Sequence, residues 1–360
     1  MKAYLILEDG HVFVGEHFGA EKEVISEFVF NTSMTGYLEV LTDPSYAGQS
    51  VVMTYPLIGN YGVALDDQES CRPFVEGFVV NELARLGSNF RKDMDLQDYL
   101  LQHDIPGIQG VDTRSITKLI RNEGCMNGMI TTHDYGDLTE VLARIRAFKV
   151  SGVVAATTCK QAYTLGQGGS KRVALYDFGA KRNIARELVK RGCEVTVYPA
   201  FTPAATILEG HYDGIMLSNG PGDPEECESI IAEMKVLMQS GIPIFAICLG
   251  HQLMALAHGF TTKKMVYGHH GANHPVKDLT TGRVYISTQN HNFMVEQASL
   301  DPEVAKPWFI NVNDGTLEGL TYEKEKICTV QFHPEASAGP LDTGYLFDTF
   351  IAMMGGEANA

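Results

Sequence analysis

Pro243-Ile244-Phe245-Ala246-Ile247-Cys248-Leu249-Gly250-His251-Gln252 is the stretch that decides the fold of the second half of the chain. An apolar run of strand length ends at a cysteine and a helical pattern follows at once, so we predict a strand over 244–247 and a helix over 250–258. This is the pattern of a nucleophile elbow, a sharp strand-to-helix turn that exposes the residue at its apex. Such a turn requires small residues two positions away on either side, and Ala246 and Gly250 meet that requirement.

Cys248, at the apex of this turn, is suited to nucleophilic chemistry. The N-terminus of a helix stabilises negative charge and therefore favours the thiolate. The backbone N–H of Leu249 would then face the oxyanion of a substrate under attack. The alternative is a buried structural cysteine, which is the ordinary state of an isolated one.

A histidine and a glutamate follow another predicted strand, over 327–330, in the run Gln331-Phe332-His333-Pro334-Glu335. His333 could deprotonate Cys248, and Glu335 could orient the imidazole and stabilise its charged form. Taken alone, a histidine in a loop is more often an ordinary hydrogen-bonding residue. Its place in the same predicted sheet as the elbow favours the catalytic interpretation.

A glycine-containing loop, Ser218-Asn219-Gly220-Pro221-Gly222-Asp223-Pro224, follows a third predicted strand over 214–217. Two glycines around a proline allow backbone N–H groups to approach an oxyanion or a substrate carboxylate closely. A simple turn is the alternative.

From residue 172 to residue 360, short apolar strands alternate with helical patterns. This alternation predicts parallel βαβ units and therefore an α/β domain with a doubly wound, mostly parallel sheet. Such sheets bind their ligands at the carboxyl ends of the strands, which is where all three motifs lie.

The first part of the chain, residues 1–159, predicts a β-rich mixed domain. Asp9-Gly10 between two apolar runs indicates a hairpin, and Asp112 or Thr113 can cap a helix that ends at Gly124. Residues 160–171 are polar and glycine-bearing, and we predict the domain linker there. A nucleotide-binding loop is the alternative, but this run neither follows a clear strand nor opens a clear helix.

Composition excludes several classes of protein. The net charge of −16 argues against a surface for nucleic acid, although it leaves room for a local basic patch. No apolar stretch is long enough to span a membrane, and acidic residues begin too early for a signal peptide. Seven scattered cysteines are typical of reduced thiols, so we expect a cytoplasmic protein.

Together the three motifs resemble those of the class I glutamine amidotransferases, over roughly residues 172–355. Further runs resemble the family of carbamoyl-phosphate synthase small subunits and extend the likeness over essentially the whole chain. These runs are Phe30-Asn31-Thr32-Ser33-Met34-Thr35-Gly36-Tyr37, Thr42-Asp43-Pro44-Ser45-Tyr46, Asp177-Phe178-Gly179-Ala180-Lys181-Arg182-Asn183-Ile184 and Gly268-His269-His270-Gly271-Ala272-Asn273-His274-Pro275.

The resemblance implies a catalytic triad of Cys248, His333 and Glu335. It also implies a glutamine site with contacts from Ser45, Gly220, Gly222, Leu249, Gln252, Asn290, Asn292 and Phe293. Two positions depart from the family pattern. Ala246 replaces a common glycine, which the elbow tolerates, and Asn292 replaces a usual glycine. Asparagine accepts positive φ better than most residues, so Asn292 can still contribute a backbone contact.

The resemblance further implies a partner, the large subunit of carbamoyl-phosphate synthase, in a heterodimer or a higher assembly. The chain has no Gly-rich ATP-binding loop, so ATP and magnesium are expected on that partner and no cofactor on this chain. Four histidines (His269, His270, His274 and His291) form no recognisable ligand spacing, and no metal site is predicted. The sequence does not distinguish whether the product feeds arginine synthesis, pyrimidine synthesis or both.

Three alternative functions predict different properties. The N-terminal motifs disfavour another amidotransferase subunit, such as that of anthranilate synthase. The intact Cys248, His333 and Glu335 set disfavours an inactive regulatory homologue. A free cysteine hydrolase without a partner would be recognised by its failure to bind a large subunit.

Overall fold

The structure, a computed structural model, describes residues 1–355, and the chain divides into two compact units. The N-terminal unit comprises Met1–Ser151 together with Val266–His270, and the C-terminal unit comprises Gly152–Met265 and the chain from Gly271 onward. The first is rich in strands and the second alternates strands with helices. The predicted fold class, a β-rich mixed domain followed by a doubly wound α/β domain, is confirmed.

The N-terminal unit is built around a barrel that closes in the order β1-β2-β8-β6-β4-β3-β9, while β5 and β7 form a separate pair. The strands are β1 (Lys2–Leu7), β2 (Val12–Gly19), β3 (Val24–Asn31), β4 (Gln49–Met53), β5 (Leu57–Ile58), β6 (Gly77–Val79), β7 (Glu82–Leu83), β8 (Pro106–Gln109) and β9 (Met126–Thr131). The helices are α1 (Tyr37–Thr42), α2 (Leu96–Gln102), α3 (Thr113–Glu123) and α4 (Thr139–Ala147), with 3₁₀ turns at Pro44–Tyr46 and Leu65–Asp67.

Local sequence signals account for two features of this unit. The predicted hairpin is confirmed, because β1 and β2 pair antiparallel around a turn in which Gly10 adopts φ 96°. The predicted cap is confirmed as well. The Asp112 carboxylate accepts a hydrogen bond from the Ser115 backbone N–H at the start of α3, and the helix ends at Gly124.

The C-terminal unit contains a sheet in the order β10-β12-β11-β13-β14-β19-β18-β17-β15-β16. Its strands are β10 (Tyr163–Leu165), β11 (Lys171–Asp177), β12 (Cys193–Pro199), β13 (Gly214–Leu217), β14 (Ile244–Ile247), β15 (Thr262–Asp278), β16 (Val284–Val295), β17 (Lys306–Asn311), β18 (Leu317–Tyr322) and β19 (Ile327–Val330). Its helices are α5 (Val153–Thr157), α6 (Arg182–Lys190), α7 (Ala204–Glu209), α8 (Glu228–Leu237), α9 (Leu249–Ala257) and α10 (Tyr345–Met353), with 3₁₀ turns at Pro224–Cys227 and Gln297–Ser299.

The centre of this sheet is parallel and is covered on both faces. Strands β12, β11, β13, β14 and β19 pair in parallel, and the sheet continues through antiparallel strands beyond β19. Alternate residues of β14 enter two different apolar clusters, Ile244 and Ala246 on one face and Phe245 and Ile247 on the other. The carboxyl ends of the parallel strands therefore share one edge, as the sequence predicts for the three motifs.

The structure differs from the predicted linker at 160–171. Tyr163–Leu165 forms β10, which pairs antiparallel with β12. Two apolar side chains around one polar one are enough for a short edge strand, and the open edge of β12 provides the partner. The glycine-bearing run that follows is a turn between β10 and β11, in which Gly166 and Gly168 adopt positive φ.

The sequence predicts reduced cysteines and no membrane-spanning segment. None of the seven cysteines, all of which lie within residues 1–355, forms a disulfide. Within residues 1–355, every helix is too short or too polar to cross a bilayer.

Candidate active site

Cys248 occupies the turn between β14 and α9, with φ 52° and ψ −104°. A positive φ is uncommon for a residue with a side chain and is the mark of a strained elbow. The Cys248 N–H donates to the Val330 carbonyl oxygen (2.8 Å), which fixes the turn to the end of β19. At position 250 an added Cβ would lie 2.8 Å from the Leu217 carbonyl oxygen, so only glycine fits. The predicted strand and helix are both present, although α9 begins one residue earlier than predicted.

His333 and Glu335 lie in the loop after β19 and are both sealed from solvent. His333 Nδ1 is 2.6 Å from Glu335 Oε1, and its backbone N–H donates to the Thr288 carbonyl oxygen at 2.9 Å. The Cys248 thiol interacts with the imidazole strongly enough to raise its pKa. The His333 Nε2 is sealed from solvent, and no other side chain or backbone group in residues 1–355 forms a hydrogen bond with it. The structure thus brings the three predicted triad residues together.

Lys181 is a charged residue next to Glu335 that sequence analysis did not assign to the site. Its Nζ lies 3.1 Å from Glu335 Oε1 and also donates to the Ala336 carbonyl oxygen. Its backbone N–H donates to Asn219 Oδ1 (3.0 Å) in the loop after β13. Lys181 lies in the run Asp177–Ile184 used for the family resemblance. A lysine just after a strand end was the available signal.

Opposing effects set the protonation states of this cluster. Burial alone would lower the pKa of His333, but the charge of Glu335 and hydrogen bonds with Cys248 and Glu335 raise it overall. Burial alone would raise the pKa of Glu335, but the charges of Lys181 and His333 lower it overall. Glu335 is therefore held as a carboxylate, and His333 is a strong proton acceptor for the thiol.

The glycine loop after β13 lies against the start of α9, because the Gly250 N–H donates to the Ser218 carbonyl oxygen (3.1 Å). Gly222 adopts φ 89°, and an added Cβ there would meet Val153 Cγ2 at 2.6 Å. A side chain at position 222 would thus be both strained and obstructed. The loop with Gly220 and Gly222 follows β13, and Leu249 follows the neighbouring strand β14. This is the arrangement expected of backbone N–H groups that bind an oxyanion.

The remaining predicted contacts fall into three groups. Asn290 is beside the nucleophile, since Cys248 Sγ lies 3.7 Å from its carbonyl oxygen. Gln252 Nε2 donates to the Phe293 carbonyl oxygen (2.8 Å), so these two residues are also adjacent. Asn292 is half-buried and lies on β16, between Asn290 and Phe293 in the sequence. Ser45 lies in the N-terminal unit, where its N–H donates to Asp43 Oδ1 (2.9 Å), and its contribution to a glutamine site stays a prediction.

Two further histidines near the site, His251 and His291, are buried. His251 Nδ1 is 2.7 Å from the Thr329 hydroxyl, and burial lowers the pKa of His251 to about 3. The two ring nitrogens of His291 lie 2.8 Å from the Phe293 carbonyl oxygen and 2.9 Å from Gln289 Oε1.

Comparison with known proteins agrees with this geometry. Residues 174–353 match the family model of class-I glutamine amidotransferases, and residues 5–130 match the model of the carbamoyl-phosphate synthase small chain, CPSase domain. The nucleophile elbow and the buried His333–Glu335 pair thus lie inside the matched amidotransferase segment.

Relatives match the chain from end to end. The carbamoyl phosphate synthase small chain of Listeria monocytogenes is 50% identical over 99% of this chain and 98% of its own length. That of Clostridium perfringens is 50% identical over 98% of this chain and 99% of its own. A solved structure, a putative GMP synthase protein from Thermoplasma acidophilum, is 19% identical with a TM-score of 0.45 over 51% of this chain and 94% of its own. The chain belongs to the family of carbamoyl phosphate synthase small chains.

Proposed function

We propose that the chain hydrolyses L-glutamine to glutamate and ammonia through a thioester on Cys248. The ammonia passes to a large synthetase subunit, which makes carbamoyl phosphate from bicarbonate and ATP. The observation that carries this proposal is the sealed Cys248, His333 and Glu335 cluster at the end of the parallel strands. It is the arrangement of a nucleophile, a base and an orienting carboxylate.

The reaction has two halves. His333 takes the thiol proton, and the Cys248 sulfur attacks the side-chain carbonyl carbon of glutamine. Backbone N–H groups of Gly222 and Leu249 stabilise the resulting oxyanion, each donor being worth roughly 3–4 kcal/mol by analogy with measured oxyanion holes. His333 returns its proton to the departing nitrogen, which leaves as ammonia. Water, deprotonated by the same imidazole, then cleaves the thioester to give glutamate and restores the thiol.

The remaining predicted residues hold the substrate in this proposal. Ser45, Gly220, Gln252, Asn290, Asn292 and Phe293 would contact the glutamine. The acceptor groups and backbone amides among them suit an amino acid with one ammonium and one carboxylate group.

A partner is required because this chain supplies only ammonia. Ammonia released into neutral water becomes mostly ammonium, which is not a nucleophile, so a closed path to the next site is expected. We propose that ATP and magnesium bind the large subunit and that the N-terminal unit provides much of the docking surface. The lack of a disulfide among the seven cysteines supports a cytoplasmic location.

The test of the nucleophile uses the complex reconstituted with a large subunit. Cys248→Ser should abolish glutamine-dependent synthesis of carbamoyl phosphate, while synthesis from added ammonium salts continues, because only the amidotransferase site is damaged. Equal loss of both activities, or full retention of glutamine use, would contradict the assignment.

The test of the partner measures glutamate release by the chain alone, with the large subunit, and with all substrates present. We expect slow release alone and at least a tenfold rise during turnover, which corresponds to about 1.4 kcal/mol of coupling. Identical rates in all three conditions would indicate a stand-alone glutaminase.

A further inference from the structure

Gln252 presents a fixed side-chain amide next to the nucleophile. It lies one helical turn after Cys248, and its backbone N–H donates to the Cys248 carbonyl oxygen at 3.2 Å. Its Nε2 donates to the Phe293 carbonyl oxygen (2.8 Å) and to Gln331 Oε1 (3.0 Å). A backbone carbonyl only accepts hydrogen bonds, so the contact with Phe293 settles which end of the amide is the nitrogen.

Both N–H bonds of the Gln252 amide are used in this way, and its oxygen is the end left for a ligand. Within the described residues no donor reaches Oε1, yet this atom is not among the polar atoms sealed from solvent. The amide oxygen therefore keeps some exposure to solvent. An acceptor in that position suits a hydrogen-bond donor on the substrate, such as an ammonium or amide group.

Gln331 helps to fix the orientation of the Gln252 amide, but its own amide nitrogen is left without an acceptor. It follows β19, two residues before His333, and is completely buried. Its Oε1 accepts from Gln252, while its Nε2 is sealed and has no hydrogen-bond partner in residues 1–355. A buried N–H donor without an acceptor destabilises the folded state. Such a group in a native structure therefore suggests a functional role for the residue.

We propose that Gln331 is a positioning residue for substrate binding. It fixes the Gln252 amide so that the oxygen, and not the nitrogen, faces the substrate. Without the Gln331 oxygen, the Gln252 amide keeps a single fixing contact and can turn its nitrogen toward the site. The inference rests on the proposed glutaminase activity and adds a determinant of affinity to it.

The test compares three variants of the full chain by steady-state release of glutamate. Gln331→Met has a similar shape but no acceptor, so the KM for glutamine should rise about tenfold or more while kcat stays within about threefold. Gln331→Glu keeps an acceptor oxygen in either protonation state, so its KM should stay within about threefold of the parent.

Thr329→Val is the matched control. Thr329 is equally buried and lies on β19, two residues before Gln331. Its hydroxyl forms hydrogen bonds with His251 on the same helix α9 and with the Leu320 carbonyl oxygen, and within the described residues it forms none with Gln252. This variant should lose stability in thermal unfolding and yet keep the parent KM. The comparison separates a loss of orientation from a general loosening of the contact between β19 and α9.

Three results would overturn the inference: an unchanged KM in Gln331→Met, an equal rise in Gln331→Glu, or an equal rise in Thr329→Val. A parent chain that releases no glutamate, with or without a large subunit, would instead refute the proposed function. The two failures are therefore distinguishable.

Discussion

Lys181 and His333 share one oxygen atom of Glu335. Lys181 Nζ lies 3.1 Å from Oε1, His333 Nδ1 lies 2.6 Å from the same atom, and all three side chains are at most 2% exposed. The other carboxylate oxygen is sealed and has no hydrogen-bond partner in residues 1–355. Two groups that can carry positive charge thus converge on one atom, which explains why the pKa of Glu335 is low despite its burial.

Replacing Lys181 by methionine should shift the pH dependence of glutamine hydrolysis. The charge of Lys181 lowers the pKa of His333, so its loss should raise that pKa further and move the acidic limb of the kcat/KM profile to higher pH. Breaking a buried ion pair should also cost about 3–5 kcal/mol of unfolding free energy. Lys190→Met, at an exposed pair with Glu187, is the control and should change neither quantity appreciably. An unshifted profile in Lys181→Met would remove Lys181 from the electrostatics of the site.

The roles of base and orienting group predict an order of damage. His333→Asn should reduce glutamine hydrolysis by several orders of magnitude, because it removes the base that interacts with the Cys248 thiol. Glu335→Gln should be less harmful, since it removes only orientation and charge stabilisation. Steady-state kinetics of both variants with the large subunit present would check the order, and a larger loss at Glu335 would reverse the assigned roles.

Asn292 tests whether a backbone contact tolerates a departure from the family pattern. If only its backbone meets the substrate, Asn292→Gly should keep the KM for glutamine within a few-fold of the parent. A rise of tenfold or more, about 1.4 kcal/mol, would show that the side-chain amide binds glutamine.

The lowered pKa of His251 should make the free energy of unfolding depend on pH. Its pKa is about 3 in the folded protein, and the value in an unfolded chain is about 6.5. Between these values the unfolded state binds a proton that the folded state does not, so stability falls as the pH falls, by up to about 1.4 kcal/mol per pH unit. Urea unfolding between pH 6 and pH 4 should show a shallower loss for His251→Gln than for the parent. Equal slopes would mean that His251 takes up a proton in the folded state without difficulty.

Much of the fold follows from local sequence signals. The apolar run 244–247 ending at Cys248 predicts both β14 and α9 because strand length, apex and small flanking residues all act locally. The antiparallel extension beyond β19 and the edge strand β10 were not predicted. Their pairing joins segments far apart in the chain, such as β15 with β17, and short runs carry little periodicity.

In the candidate active site too, local motifs were predicted from the sequence and contacts between distant segments were not. Cys248 and His333 stand at strand ends with recognisable motifs, and the structure brings them together. The contributions of Lys181 and Gln331 were not predicted, because each depends on which side chain faces it across the folded unit. Lys181 reaches Glu335 over 154 positions of sequence and Gln331 reaches Gln252 over 79. No spacing rule within one segment reveals such a contact.

The backbone of Cys248 also sets a limit on how stable this protein can be while it remains active. At φ 52° and ψ −104°, any Cβ is unfavourable, so the usual order of alanine and glycine should invert here. We expect Cys248→Gly to be more stable than Cys248→Ala in thermal unfolding, by a free energy on the order of 1 kcal/mol. Ala232→Gly, inside α8, should show the ordinary loss of about 1 kcal/mol. Selection for thermal stability alone would therefore remove the nucleophile, and only selection for turnover retains a side chain at this position.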